Sequence, residues 1–203
     1  MKSLLLLFLI AVSAPVKPEK IAAKQDKVIA DTLLTALRKQ TATLNRYEFN
    51  HRKNILFLVK LTGKTKLKRV REGDWPDDTE YIYSILKDTT GRIILIEQSP
   101  YSQSGDWYVE WKHYFDENGN TFAFSRRESV FDDSVKGGMA IEEFLKYYDA
   151  NFRIINQSFR LTDKDDKTIK RNKNEFNFRN DKYTIYKNVN DCLLAYHVKA
   201  ENI

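Results

Sequence analysis

Two periods divide the chain. Over residues 21–44, Ala22, Ile29, Ala30, Leu33, Ala36, Leu37 and Leu44 fall on one stripe at about 100° per residue. Lys20, Lys24, Asp31 and Arg38 fall opposite. The spacing predicts an amphipathic surface helix that packs on something flat. From residue 54 onward the period shortens to two. Ile55, Leu56, Phe57, Leu58 and Val59 form a short run of strand formers that ends at Thr62-Gly63. Strands are predicted over 81–87, 92–97, 107–115, 121–130 and 182–187. Within 107–115, Trp107, Val109, Trp111, His113 and Phe115 alternate with Tyr108, Glu110, Lys112 and Tyr114, so one face should be buried and one wet. Residues 141–161 fit a helix or a hairpin. The match of Tyr147-Tyr148-Asp149-Ala150-Asn151 to Tyr114-Phe115-Asp116-Glu117-Asn118 favours the hairpin, with Asn151 in the left-handed region. Asn190-Asp191 is expected to cap a short C-terminal helix running through Leu193, Leu194 and His197.

The connections carry their own signature. Asp88-Thr89-Thr90-Gly91 and Asp116-Glu117-Asn118-Gly119 both spell Asp-x-x-Gly between predicted strands. The aspartate starts the turn on its own backbone, and the glycine supplies the positive φ that closes it. Asp163-Lys164-Asp165-Asp166-Lys167 predicts a further turn. These hairpins, with Tyr-Phe-Asp-Glu-Asn-Gly-Asn at 114–120, resemble small exported bacterial α+β proteins of unknown function in which a helix precedes an antiparallel meander. The resemblance covers most of the chain after residue 14. It rests on turn chemistry, so it implies a fold and carries no catalytic residue across. The expected architecture is a single α+β domain over 15–203. It has an N-terminal amphipathic helix packed on an antiparallel meander of six to seven strands, then a short C-terminal helix. The helix is expected to cover the face built from Trp111 and Phe115.

Residues 1–14 change the picture of location. Met1-Lys2 is a basic start, 4–12 is an unbroken apolar run, and Val12-Ser13-Ala14 offers small residues for cleavage. That order is a secretory signal, which implies a secreted or periplasmic protein. Nine apolar residues fall short of the ~20 that a membrane span needs. No other segment reaches 18, so no transmembrane span is expected.

Composition narrows the class. With 42% hydrophobic and 31% charged residues, the 203-residue chain can bury a core. The 13% aromatic content leans towards β-structure. Cys192 is the single cysteine, so no internal disulfide forms. Its neighbours Leu193, Leu194 and Ala195 mark it as a buried small hydrophobe and not a nucleophile.

The formal net charge of +6 hides a strong segregation. Residues 38–71 hold eleven Lys and Arg against Glu48, and residues 72–149 hold seven against seventeen Asp and Glu. Lys64, Lys66 and Lys68 alternate, which on a strand puts them on one face beside Arg69. This stripe is a candidate contact for phosphates of a polymer or a membrane surface. Its alternative role is a solvated edge strand whose lysines resist aggregation. A third arrangement sets the basic and acidic blocks side by side, partly neutralised. No aromatic interleaves 60–71 to stack a base, so nucleic acid is not an expected partner.

Catalytic patterns are absent from the sequence. His51, His113 and His197 are far apart, and no nucleophile elbow, phosphate loop, dinucleotide fingerprint or Cys-x-x-Cys occurs. The calcium-loop pattern fails at 116–127, where Thr121 and Arg127 stand in place of Gly and Glu. No catalytic residue, metal ligand or cofactor is therefore assigned. The most site-like loop is 100–107, where Tyr101 and Trp107 offer flat apolar faces with polar tips. Tyr101, Trp107, Trp111 and His113 are the candidate contacts to a ligand or partner. The expected function is a non-enzymatic binding module that engages an unknown protein or an envelope polymer. The rivals are an envelope hydrolase with a site around His113, and an anionic-polymer or membrane-surface binder acting through residues 52–71.

Overall fold

The computed structural model describes residues 18–179 and 181–199, with side chains from residue 30 onward. The signal expected at 1–14 lies outside the described residues. The chain divides between Leu33 and Leu34, and helix α1 (Pro18–Asn50) runs through the division.

Residues from Leu34 onward fold as mixed α+β around one antiparallel sheet of eight strands, not six to seven. The strands are β1 (Ile55–Leu61), β2 (Lys68–Val70), β3 (Thr79–Lys87), β4 (Ile93–Pro100), β5 (Trp107–Phe115), β6 (Thr121–Phe131), β7 (Met139–Tyr148) and β8 (Ile154–Asp163). Their spatial order is β2-β1-β3-β4-β5-β6-β7-β8, so β3 to β8 form a meander in chain order. The ambiguous 141–161 stretch is the β7–β8 hairpin, as expected. Residues 182–187, expected as a final strand, are extended but join no ladder; only Asn188 bridges to Asn120. A short helix α2 (Val189–Ala195) follows. It is capped by Asn188, whose side chain accepts from the Asp191 N–H at 3.0 Å, so the cap lies two residues before the expected one.

One turn is used four times. At Asp88, Asp116, Asp149 and Asp163 the carbonyl accepts the N–H three residues on. The carboxylate accepts the N–H groups two and four residues on, at 2.8–3.0 Å. The residue three after the aspartate has positive φ each time: Gly91, Gly119, Phe152 and Asp166. In the third turn it is thus Phe152, not Asn151, that takes the left-handed region. Its ring stacks on Tyr148 at 4.5 Å, which offsets the strain. At Gly119, φ is +76° and an added Cβ would stand 3.0 Å from Val189 Cγ1. Gly119→Val is therefore expected to cost about 1 kcal/mol or more beyond Gly119→Asn, because asparagine tolerates this region and a β-branched residue does not. Urea melts of the two variants check this, and equal midpoints would contradict it.

Both sheet faces are covered, which corrects the expectation of one wet face on β5. On one face Leu37, with Leu34, Leu44 and Tyr47, packs with Leu86, Leu95, Tyr114 and Tyr147. The helix stripe is rotated from the expected one. Leu37 and Thr41 are buried, whereas Ala36 is exposed and Leu33 is 38% exposed. On the other face Leu58, Tyr83, Ile85, Ile96 and Phe115 pack with Cys192 and Tyr196, and Trp111 and Phe124 pack near Ile185. The C-terminal segment therefore covers the Trp111 and Phe115 face, and residues 34–47 of α1 pack on the other. Each side chain fully buried in these layers contributes roughly 1.5–3 kcal/mol. Cys192 has no exposed surface, and burial pushes its thiol far above the ordinary range, consistent with a packing role.

Candidate functional site

The β1–β2 turn, one face of β3 to β5 and the C-terminal segment line a cleft of about 620 Å³. Its walls are aromatic because strand alternation brings Tyr83 and Trp111 to the same face, and the returning chain lays Tyr183, Tyr186 and Tyr196 over them. Tyr83 and Tyr196 meet at 4.9 Å between ring centroids, Tyr186 and Tyr196 at 5.5 Å edge to face, and Tyr183 stacks on Phe124 at 5.3 Å. These contacts fix the rings in place. Burial raises the pKa of Tyr83, Tyr186 and Tyr196, so their hydroxyls remain proton donors at neutral pH. Gln98 adds an amide that donates weakly to the Tyr83 hydroxyl at 3.5 Å.

Trp111 is 3% exposed and forms part of the cleft lining. Its indole Nε1–H is buried and meets no acceptor among the described residues. Lys60, Lys64 and Lys182 stand around the cleft. Lys60 is bridged to Glu80 at 2.9 Å. Neither Lys64 nor Lys182 has an ion partner among the described residues, so this face keeps positive charge to offer.

The structure thus brings together two residues that the sequence placed in separate hypotheses, Trp111 and Lys64. It disperses the rest. His113 has no exposed surface and lies against Phe115, Phe124 and Tyr186. Its Nε2 accepts the Tyr186 N–H at 3.1 Å, and burial pushes its pKa down to about 3. It is a neutral core histidine whose other nitrogen, Nδ1, carries the proton. Trp107 is capped by the Arg179 guanidinium 4.0 Å above its ring. The loop before it is tied to itself, with Ser102 and Ser104 bonded to Asp106, and Gln103 bonded to the Asp77 carbonyl. Tyr101 is half-buried, and its N–H donates to the Glu80 carbonyl. Lys64 and Lys66 lie in the turn before β2 and not on a strand, which undoes the single-face stripe. Lys68 and Arg69 are exposed on β2, a three-residue edge strand, as aggregation-resistant edges require. Arg69 lines a hollow there with Lys53 and Arg71. The basic and acidic blocks do meet, through Arg52 with Glu72 and Lys60 with Glu80.

A second cleft, of about 410 Å³, lies on the helix face between the end of α1, the β2–β3 connection and β3 to β5. Its floor holds a cluster that the sequence reading missed. Lys112 Nζ lies 3.1 Å from Glu97, 3.3 Å from Glu48 and 3.7 Å from Glu110. The Tyr108 hydroxyl donates to Glu110 at 2.8 Å. Burial raises the carboxyls of Glu48 and Glu110 above the usual range. Burial pulls the Lys112 ammonium down, but Glu110, Glu97 and Glu48 reverse this and hold it well above the ordinary lysine value. Its charges are engaged with one another, and Glu48 ties the last turns of α1 to the sheet. The signal in the sequence was Glu110-x-Lys112 on a strand flanked by aromatics, read there as a wet face.

Among the described residues no group of three or more His, Cys, Asp or Glu is placed to hold a metal ion, and no helix is long and apolar enough to cross a membrane. No family model, no curated protein and no solved structure matches this chain.

Proposed function

We propose that the protein is a non-enzymatic binding module of the periplasm or cell surface, and that the aromatic cleft holds an anionic, ring-bearing group of its partner, an envelope polymer. One observation carries the reading: Trp111 lines the cleft, and its buried indole N–H has no acceptor among the described residues. A buried donor left unmet costs about 1–3 kcal/mol, which a ligand oxygen reaching the floor recovers. The neutral tyrosine hydroxyls supply further donors, and their rings supply flat apolar surface with a polar tip. Lys64 and Lys182 select for negative charge.

Other features agree with this reading. The apolar run at 4–12 supports an exported location, in keeping with the resemblance to small exported proteins with Asp-x-x-Gly meanders. We take residues 34–50 of α1 as a cover on the opposite face, anchored by Leu37 and by Glu48 on Lys112, which leaves the aromatic face for recognition.

Co-sedimentation of the full chain with purified envelope polymer tests the proposal. Bound protein is expected to fall as salt rises, because lysine–anion contacts are screened. Trp111→Phe keeps an aromatic six-membered ring and removes the pyrrole half with its N–H, and is expected to weaken binding roughly tenfold or more, in line with a lost buried hydrogen bond. Lys64→Ala combined with Lys182→Ala is expected to remove most of the salt dependence. Binding that none of these substitutions alters places the contact elsewhere and overturns the reading.

A further inference from the structure

Unpaired positive charge collects at one corner of the sheet. β2 is an edge strand, and its antiparallel register sets Val70 beside Phe57, so Arg71 emerges next to the start of β1 and the preceding Lys53. Lys53, Arg69 and Arg71 line a hollow of about 420 Å³ with Arg52 and Glu72. Glu72 is bonded to Arg52. Lys53, Lys68, Arg69 and Arg71 are exposed and have no ion partner among the described residues. With the exposed Asp74 included, the corner sets five cations (Arg52, Lys53, Lys68, Arg69, Arg71) against two carboxylates (Glu72, Asp74), a net of +3. Phe49 stands beside it in the last turn of α1, 80% exposed, and lines the neighbouring cleft together with Arg52.

We propose that this corner docks on the anionic headgroups of a membrane surface, with Phe49 inserted at the headgroup boundary. The proposal is independent of the aromatic cleft, which lies at the Lys64 end of β1, seven residues or about 20 Å away. A basic edge strand that only resists aggregation needs neither a hollow between its cations nor a bare phenyl ring beside them. Charge decides between a plane and a polymer. A linear polyanion laid along the edge would meet the exposed Asp77 and Asp78 at the far end of β1, where the Thr62 N–H donates to the Asp78 carbonyl. A membrane touches one corner only, and each Lys or Arg held near an anionic surface strengthens attachment roughly fivefold. An aromatic ring at the interface adds an apolar anchor that a polyanion in water does not use.

Flotation of the full chain with phosphatidylcholine vesicles, with and without about a third phosphatidylglycerol, tests this. The apolar run at 4–12 meets both vesicles alike, so the reading is the excess bound to the anionic ones. That excess is expected to shrink as salt rises. Combining Lys53→Gln, Arg69→Gln and Arg71→Gln is expected to weaken it roughly hundredfold, from three contacts at about fivefold each. All three side chains are exposed, so the melting temperature is expected to hold. Phe49→Trp is expected to shift tryptophan emission to the blue with anionic vesicles only. Lys64→Ala with Lys182→Ala, substitutions at the cleft, is expected to leave vesicle binding unchanged, because these lysines lie beyond the ~10 Å screening length at about 0.1 M salt. Equal binding to both vesicles, or an excess that the triple variant keeps, overturns the proposal and leaves the cleft standing. Anionic vesicles that bind Phe49→Trp without moving its emission also overturn it, since the contact is then charge without insertion. Polyphosphate that binds more tightly than the anionic vesicles makes the corner a polymer site and overturns it as well.

Discussion

Arg126→Met is expected to destabilise the protein by about 3–5 kcal/mol at neutral pH, a large part of a typical ~5–15 kcal/mol. The Arg126 side chain is 7% exposed and spans Glu128 and Glu142, whose side chains are 0% and 2% exposed. Glu128 also accepts the Arg179 N–H, and Lys173 reaches Glu142, but neither contact replaces the guanidinium. Methionine fills the space, leaves Glu128 without a cation and leaves Glu142 with the half-exposed Lys173 alone. Burial already raises the Glu128 carboxyl above its usual range, so lowering the pH neutralises it and the penalty shrinks. Replacing Glu128 and Glu142 by apolar residues in the same chain is expected to restore most of the loss, since an apolar trio needs no compensation. Denaturant melts at two pH values read both effects. A single substitution that costs less than about 1 kcal/mol means that water reaches the triad, which contradicts its burial.

The second large effect is a pH dependence from His113. Its folded pKa is about 3 against an ordinary 6.5. The folded state holds the ring neutral while the unfolded chain protonates it. Its contribution to stability is therefore complete above pH 6.5 and is lost as the pH falls towards 3. At pH 5 the loss is about 2 kcal/mol, from 1.5 units at 1.36 kcal/mol each. Glu48, Glu110 and Glu128 act in the opposite sense. Their raised values favour the fold at low pH and cost stability as the pH rises through them. The wild-type curve sums these terms, so the comparison that isolates the histidine is wild type against His113→Phe. The difference in stability is expected to move by about 2 kcal/mol in the variant's favour between pH 7.5 and pH 5. A constant difference over that range would mean that the folded protein protonates His113.

The meander was legible in the sequence because its turns are chemical. Asp88 with Gly91 and Asp116 with Gly119 announce themselves, whereas the third turn hides behind Phe152 in the glycine's place. The C-terminal stretch Tyr183-Thr184-Ile185-Tyr186 has strand composition, but composition does not supply a partner. The stretch lies over the sheet face instead, which is why its tyrosines line the cleft. The charged clusters were invisible for a related reason. Alternation sorts residues onto faces, and a lysine or glutamate reads as wet until the structure reveals Glu48, Glu97 and Glu110 around Lys112, or Glu128 and Glu142 around Arg126. The helix stripe failed on the same ground, since Thr41 and Glu48 turn inward while Leu33 does not. Trp111 was legible as a face residue; its unmet N–H depends on what the returning chain places around it.

Strict chain-order pairing from β3 to β8 makes the sheet a modular gauge. One more Asp-headed hairpin appended at β8 would widen the sheet by two strands, about 10 Å, and would lengthen the path of the segment that returns over the face. Removing β7 and β8 would leave the Tyr83–Gln98 and Gln98–Trp111 register pairs in place and end the sheet at β6. The width of the sheet is thus set by counting hairpins, a quantity that insertion or deletion can change in whole steps.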